Sequence, residues 1–173
     1  VYDERVRTML LALKYRNRRD ALTYLASQIA AVLDVEAAVV TWVPTTGARR
    51  RARGFDQAEL LARAVGRRTG LPVRSLLCRV DGQAQTGRDA VGRRAGPEFS
   101  LRRRRVVAGS VVLIDDIGTT GATLQAAARV LAAAGWGEIH ARTVAWTPRR
   151  APWSSTKFGP IGPEVGPPEV TSL

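Results

Sequence analysis

Two adjacent carboxylates, Asp115 and Asp116, follow the apolar run Val111-Val112-Leu113-Ile114 and lead into Ile117-Gly118-Thr119-Thr120-Gly121-Ala122-Thr123. Gly118 and Gly121 let the backbone approach a ligand closely. Unpaired N–H groups where a helix begins, aided by its macrodipole, favour an anion, and Thr119, Thr120 and Thr123 add hydroxyl donors. Repulsion keeps the two acids away from a phosphate. They suit vicinal hydroxyls, from which they accept hydrogen bonds, or a hydrated Mg2+ that they help to hold. Acids beside an anion-binding loop match a phosphorylated sugar. Taken singly, the same acids would serve as a helix cap and a solvated loop acid, with the glycines as turn residues; the whole string favours the ligand site.

A second group of this kind lies upstream. Pro44-Thr45-Thr46-Gly47 precedes Ala48 and the basic run Arg49-Arg50-Arg51-Ala52-Arg53. Small residues with hydroxyls, followed by arginines, can bind a diphosphate through N–H groups and forked charge-assisted bonds. The alternative for such a run is a solvated face or a nucleic-acid patch.

The elements that must position these groups read as alternating strands and helices. Val111 to Ile114 is continuous and β-branched-rich, as in a strand buried on both faces. Ala122 to Ala134 carries Leu124, Ala127, Ala128 and Leu131 on one stripe, with Gly135 placed to end the helix. Ala37 to Val43 reads as another buried strand, Val73 to Leu77 as a third and Ile139 to Trp146 as the last. Helical spacing joins Val6, Met9, Leu10 and Leu13, then Leu22, Leu25, Ile29 and Val32 or Leu33. A helix beginning at Gly54-Phe55-Asp56-Gln57 places Phe55, Ala58, Leu61, Ala62 and Val65 on one face, with Gly66 or Gly70 near its end. This order predicts an α/β fold with a mostly parallel sheet, flanking helices and right-handed crossovers. Ligands of such sheets sit beyond the carboxyl ends of the strands, where both groups lie.

Arg79 to Arg105 is long, polar and glycine-rich, and reads as a lid that keeps water from a reacting sugar centre. From Pro148 onward the texture changes: six of the nine prolines fall in 148–173, so this tail is expected to be disordered or draped on the surface. The expected domain is 1–147, with 1–35 as an N-terminal helical hood.

Composition narrows the chemistry. The 173 residues suffice for one domain with a core, and the 45% apolar fraction is ordinary for a soluble protein. The formal charge is +12, and only Lys14 and Lys157 of the 27 basic residues are lysine, which leaves 25 arginines. Such a field attracts polyanions generally, although arginine abundance also follows from a GC-rich genome. Cys78 is the only cysteine, so an internal disulfide or Cys-rich zinc site is excluded. A single histidine, His140, excludes a multi-His metal site and argues against a Ser-His-Asp triad; its place in an apolar run assigns it a structural role. No apolar run approaches the roughly 18 residues needed to cross a bilayer, and the start lacks a signal-peptide core; a cytoplasmic location is expected. The chain opens on Val1 rather than Met, which fits processing or truncation.

The string Val112 to Thr123 resembles the phosphoribosyl-diphosphate (PRPP) motif of type I phosphoribosyltransferases. Arg53-Gly54-Phe55-Asp56-Gln57 resembles the Arg-Gly-Phe-Asn-Gln signature of the ComF branch, associated with DNA uptake in competence, with Asp56 in place of Asn. The resemblance covers about residues 6 to 147 and does not include the Cys-rich N-terminal zinc module of many ComF proteins. It implies the type I phosphoribosyltransferase fold with a flexible loop, in which Gln85, Thr86, Arg93 and Arg94 occupy the positions of a Gln and an Arg after the third strand. It further implies that Asp115 and Asp116 contact ribose, that Thr119 to Thr123 wrap the 5′-phosphate, and that Pro44, Thr45, Thr46, Gly47 and Arg53 hold the diphosphate. Magnesium would enter with PRPP, indirectly through Asp115 and Asp116. The implied reaction transfers phosphoribose to a base or amine, and a homodimer is compatible with the reading. The alternative is a non-catalytic ComF-like protein that binds nucleotide or single-stranded DNA, or a protein of the competence machinery. A nucleotide-responsive regulator ranks last, because no helix-turn-helix is evident.

Overall fold

The computed structural model describes residues 19–33, 37–80, 97–102, 109–118, 121–146 and 169–170. In chain order the elements are α1 (Arg19–Ala31), β1 (Val39–Trp42), α2 (Gly47–Arg53), α3 (Gln57–Thr69), β2 (Leu77–Val80), β3 (Glu98–Leu101), β4 (Ser110–Gly118), α4 (Ala122–Ala133), β5 (Glu138–Trp146) and β6 (Glu169–Val170). The main sheet runs β1-β4-β5-β6, and its pairs are parallel. A separate antiparallel ribbon joins β2 to β3.

The central strand explains the layering. Val111, Val112, Leu113 and Ile114 are all fully buried, and their side chains alternate between the two faces of the sheet. Val112 and Ile114 join Val40, Trp42 and Val144 against Leu25 and Ile29 of α1 and Leu61, Ala62 and Val65 of α3. Val111 and Leu113 join Val39, Ile139 and Ala141 against Leu124, Ala127, Ala128 and Leu131 of α4, with Leu77 and Phe99 of the ribbon on the same side. Each large aliphatic side chain buried in this way contributes about 1.5–3 kcal/mol. The continuous apolar run is therefore what a strand covered on both faces requires.

Most expected elements appear close to their expected bounds, and one does not. Val73 to Leu77, read as a full strand, contributes only an isolated parallel bridge between Val73 and Val40. Val40 N donates to Pro72 O and Arg74 N donates to Val40 O, both at 2.9 Å. The ladder stops there because Leu76 N donates instead to the buried Thr41 hydroxyl. The chain then leaves the main sheet for the ribbon, which starts at Leu77.

Gly70, at φ +76, ends α3, whereas Gly66 lies buried inside that helix. A Cβ at Gly66 would collide with Val73 Cγ2 and lie 3.0 Å from Leu71 O, so glycine there permits the return segment to pack against the helix. In the expected tail, Glu169–Val170 pair with Arg142 and Thr143 at the edge of β5. The expected helix around Val6 to Leu13 lies outside the described residues. Among the described residues, no helix is long and apolar enough to cross a membrane.

Candidate functional site

Parallel pairing of β1 with β4, in the register Trp42 opposite Ile114, ends β1 beside the point where β4 reaches Asp115 and Asp116. Val43 N donates to Ile114 O at 2.9 Å, which sets Pro44 and Thr45 beside Asp115 and Asp116. A cavity of about 430 Å³ opens there. It is lined by six expected site residues, Pro44, Thr45, Arg53, Asp115, Asp116 and Thr123, and by Arg49, Phe55, Asp56, Gln57 and Arg79 among others. The other expected residues fall around it. Thr46 and Gly47 open α2, Ile117 and Gly118 end β4 opposite Ala145 and Trp146, and Gly121 and Ala122 open α4. Thr119, Thr120, Gln85, Thr86, Arg93 and Arg94 lie outside the described residues.

The acids do not cap α4. Its N-cap is Gly121 in the left-handed region at φ 76, with no side-chain cap bond, so the cap reading of Asp115 and Asp116 is excluded. Asp115 is 8% exposed, and its Oδ1 accepts from Asp116 N at 2.8 Å. Burial, then the neighbouring Asp116 charge, raises the Asp115 pKa well above the ordinary carboxylate range, and Asp56 adds to that repulsion. Burial and repulsion thus disfavour the ionised form of Asp115, and a hydrogen-bond donor or cation entering beside it would favour that form again.

The basic run is not an extended loop, and its arginines are solvent-exposed. It folds into α2, which opens with Thr46 Oγ1 accepting from Arg49 N and closes on Gly54 at φ 78. Sequence periodicity could not show this helix, because none of its residues is buried; Thr46 and Gly54, as cap residues, were the only local signals. Arg49 and Arg53, four residues apart and so on one helix face, both line the cavity. Arg50 turns to Glu59 of α3 at 3.6 Å, and Glu59 also pairs with Arg63 at 2.8 Å. Arg63 lies over the Trp42 ring. Arg79 of β2 also lines the cavity, with its guanidinium 5.4 Å from the Phe99 ring centroid.

Asp56 joins the two halves of this site. It is 4% exposed and caps α3, with Oδ1 accepting from Ala58 N at 3.1 Å and Glu59 N at 3.4 Å. Its Oδ2 accepts from Thr45 N at 2.9 Å. Burial raises its pKa, and the backbone N–H of Thr45 is the largest opposing influence. One expected ligand group is thereby occupied within the protein, the Thr45 N–H by Asp56, whereas the Thr46 hydroxyl accepts from Arg49 N–H and keeps its own O–H to donate. Arg49 was missed at the sequence level because the side chain that faces a cavity is decided by the helix phase.

The donor set also bears on metal binding. Asp115 and Asp116 supply hard oxygens of the kind Mg2+ takes. Among the described residues, no group of three or more His, Cys, Asp or Glu side chains is placed to hold a metal ion. Two carboxylates alone leave most positions of such an ion to other ligands.

No family model matches the chain. Over 94 residues it is 34% identical to competence protein ComFC of Bacillus subtilis (strain 168), a match covering 54% of this chain and 38% of that protein. Among solved structures it is similar to glutamine phosphoribosylpyrophosphate amidotransferase from B. subtilis complexed with ADP and GMP, with a TM-score of 0.51 and 25% identity over 70% of this chain and 25% of that one. Orotate phosphoribosyltransferase from Aeropyrum pernix follows, with a TM-score of 0.50 and 15% identity over 75% and 62% of the two chains. The chain thus spans less than two thirds of each of these proteins. The sheet and its flanking helices define a type I phosphoribosyltransferase-like fold. Within that class the chain is similar, over those 94 residues, to the competence protein ComFC.

Proposed function

We propose that this protein binds PRPP with Mg2+ and transfers phosphoribose to a nitrogen acceptor, releasing diphosphate. One observation carries the reading: a single cavity sets Asp115 and Asp116 beside Thr123 on one side and Arg49 with Arg53 on the other. That arrangement suits a ligand with hydroxyls at one end of its ring and a multiply charged anion beyond it. Asp115 and Asp116 accept hydrogen bonds from the ribose hydroxyls, the loop ending at Thr123 holds the 5′-phosphate, and the arginine pair holds the diphosphate. In the reaction the bond from ribose C1 to diphosphate oxygen breaks, a bond from C1 to nitrogen forms, diphosphate leaves with the electron pair, and the nitrogen loses its proton. Arginines already oriented at the departing charge stabilise it without reorganisation. Bound Mg2+ would neutralise further charge on the diphosphate.

Calorimetric titration of PRPP with and without Mg2+, beside ribose 5-phosphate and diphosphate, tests this. Metal-dependent PRPP binding tighter than either control is expected, and Asp115→Asn combined with Asp116→Asn should abolish it. Unchanged PRPP affinity in that double variant would refute the site assignment.

A second reading rests on α2, whose arginines Arg49, Arg50, Arg51 and Arg53 are all exposed. Such a helix suits a single-stranded nucleic-acid backbone, and the relative ComFC is a competence protein. Affinity for an oligonucleotide that falls steeply with salt would support it; no binding at about physiological salt would count against it.

A further inference from the structure

We infer that Asp56 is the positioning residue of the diphosphate-binding side of the cavity, holding the loop after β1 and the arginine helix α2 as one unit through Thr45 N–H. This inference rests on the diphosphate assignment proposed above and adds to it what sets the geometry of Arg49 and Arg53.

The physical case starts from what α2 lacks. It has no buried residue, so no core contact fixes its orientation. A seven-residue helix is also too short to persist by propensity alone. What holds it is at its ends. The Thr46 cap and Gly54 close the helix itself, and the Arg50–Glu59 ion pair is exposed on the arginine side, where such pairs contribute at most about 1 kcal/mol. Asp56 provides the firmer tie. Its Oδ2 closes an eleven-residue separation back to Thr45, while Oδ1 is anchored to the first turn of α3, a helix packed into the core through Leu61 and Val65. The bond ties both ends of the α2 segment to a rigid element. It also explains why a carboxylate stands among groups meant for an anion. Asp56 accepts from three backbone N–H groups with its two oxygens.

Coulomb repulsion alone and positioning predict opposite signs. If Asp56 acts only as a negative charge beside the cavity, removing it tightens anion binding. If it positions the loop, removing it weakens diphosphate binding while ribose 5-phosphate, held at the β4 side, is untouched. Asp56→Ser is the informative variant. Serine keeps an N-cap hydroxyl for α3 but is one atom shorter and has only one oxygen, so it cannot also reach Thr45. Asp56→Asn retains an acceptor for the cap and presents an amide that sets donor against donor at Thr45 N–H.

The experiment measures inorganic diphosphate and ribose 5-phosphate affinities of the full chain by calorimetry for wild type, Asp56→Ser and Asp56→Asn, with thermal melts alongside. Both variants are expected to lose about tenfold in diphosphate affinity, the size of one ordering hydrogen bond, and to keep ribose 5-phosphate affinity within about twofold. A folded Asp56→Ser protein with equal or tighter diphosphate binding would overturn the inference. Amide exchange at Thr45 in the wild-type protein is a check that needs no variant: protection is expected, and exchange as fast as in an unstructured peptide would also overturn it. If wild type binds neither probe, the diphosphate reading itself fails, and that outcome is distinct from a failure of Asp56.

Discussion

Replacing Asp115 with Asn should stabilise the protein and disable its site at once. The Asp115 carboxyl is 8% exposed, and burial followed by the Asp116 charge raises its pKa well above the 3.8 of an ordinary aspartate. An acid whose pKa is raised on folding contributes its stability while protonated, below the unfolded value, and that contribution is lost as pH rises through the folded value. Each pH unit crossed in this window lowers the unfolding free energy by about 1.4 kcal/mol, or about 3–6 °C in midpoint for a chain of this size. Asparagine never ionises, yet its Oδ1 can still accept from Asp116 N–H, the 2.8 Å bond of the wild type. Thermal melts of wild type and Asp115→Asn across about pH 4 to 8 give the comparison. The variant should melt several degrees higher at about pH 7.5, and the gap should close as pH falls toward about 4. PRPP titration at neutral pH should show weakened binding, the usual exchange of function for stability at a site that holds buried charge. A variant that melts lower at neutral pH, or a gap that does not change with pH, would refute the reasoning that burial and repulsion dominate at Asp115.

Two further outcomes test the arginine helix and the core beneath it. Arg49→Ala and Arg53→Ala, on the cavity face of α2, should each weaken diphosphate binding about 10- to 100-fold, the loss expected for a charge-assisted bond. Arg51→Ala on the same helix should change it little, and equal losses at all three in calorimetry would point to general charge rather than a fork. Gly66→Ala places a methyl group against Val73 and Leu71 O; overpacking of about 1–3 kcal/mol outweighs the helix gain of about 1 kcal/mol, and Val73→Ala should restore stability in denaturant unfolding. Gly70→Ala meets open space but keeps φ +76, so it costs about 1–2 kcal/mol through backbone strain and Val73→Ala should not rescue it.

The strand from Val111 to Ile114, the helix ending near Gly135 and the acids between them were legible because every signal is local. A continuous β-branched run can be satisfied only by burial on both faces, and the Leu124, Ala127, Ala128 and Leu131 stripe has a single helical phase. The same holds for Leu25 and Ile29 in α1 and for Gly70 after α3. Where the signal was not local, the reading failed. Val73 to Leu77 has the composition of a strand, but its ladder ends after Val73, because the Thr41 side chain takes the next available N–H. Residues 47–53 carry no apolar period, so their helix was marked only by its caps.

The sequence alone determined the chemical types at the site: two acids after a buried strand, threonines and glycines at a helix start, and arginines after a second strand. Tertiary structure decided which of them meet. Parallel pairing of β1 with β4 brings residues 43–57 to the rim that holds Asp115 and Asp116, a distance in sequence that no local pattern specifies. Helix phase then selected Arg49 and Arg53 from a run of similar arginines, and burial of Asp56 turned a ligand-type carboxylate into a clamp on Thr45. Side-chain type is a property of one position, whereas burial, proton affinity and orientation belong to the neighbours that the fold supplies.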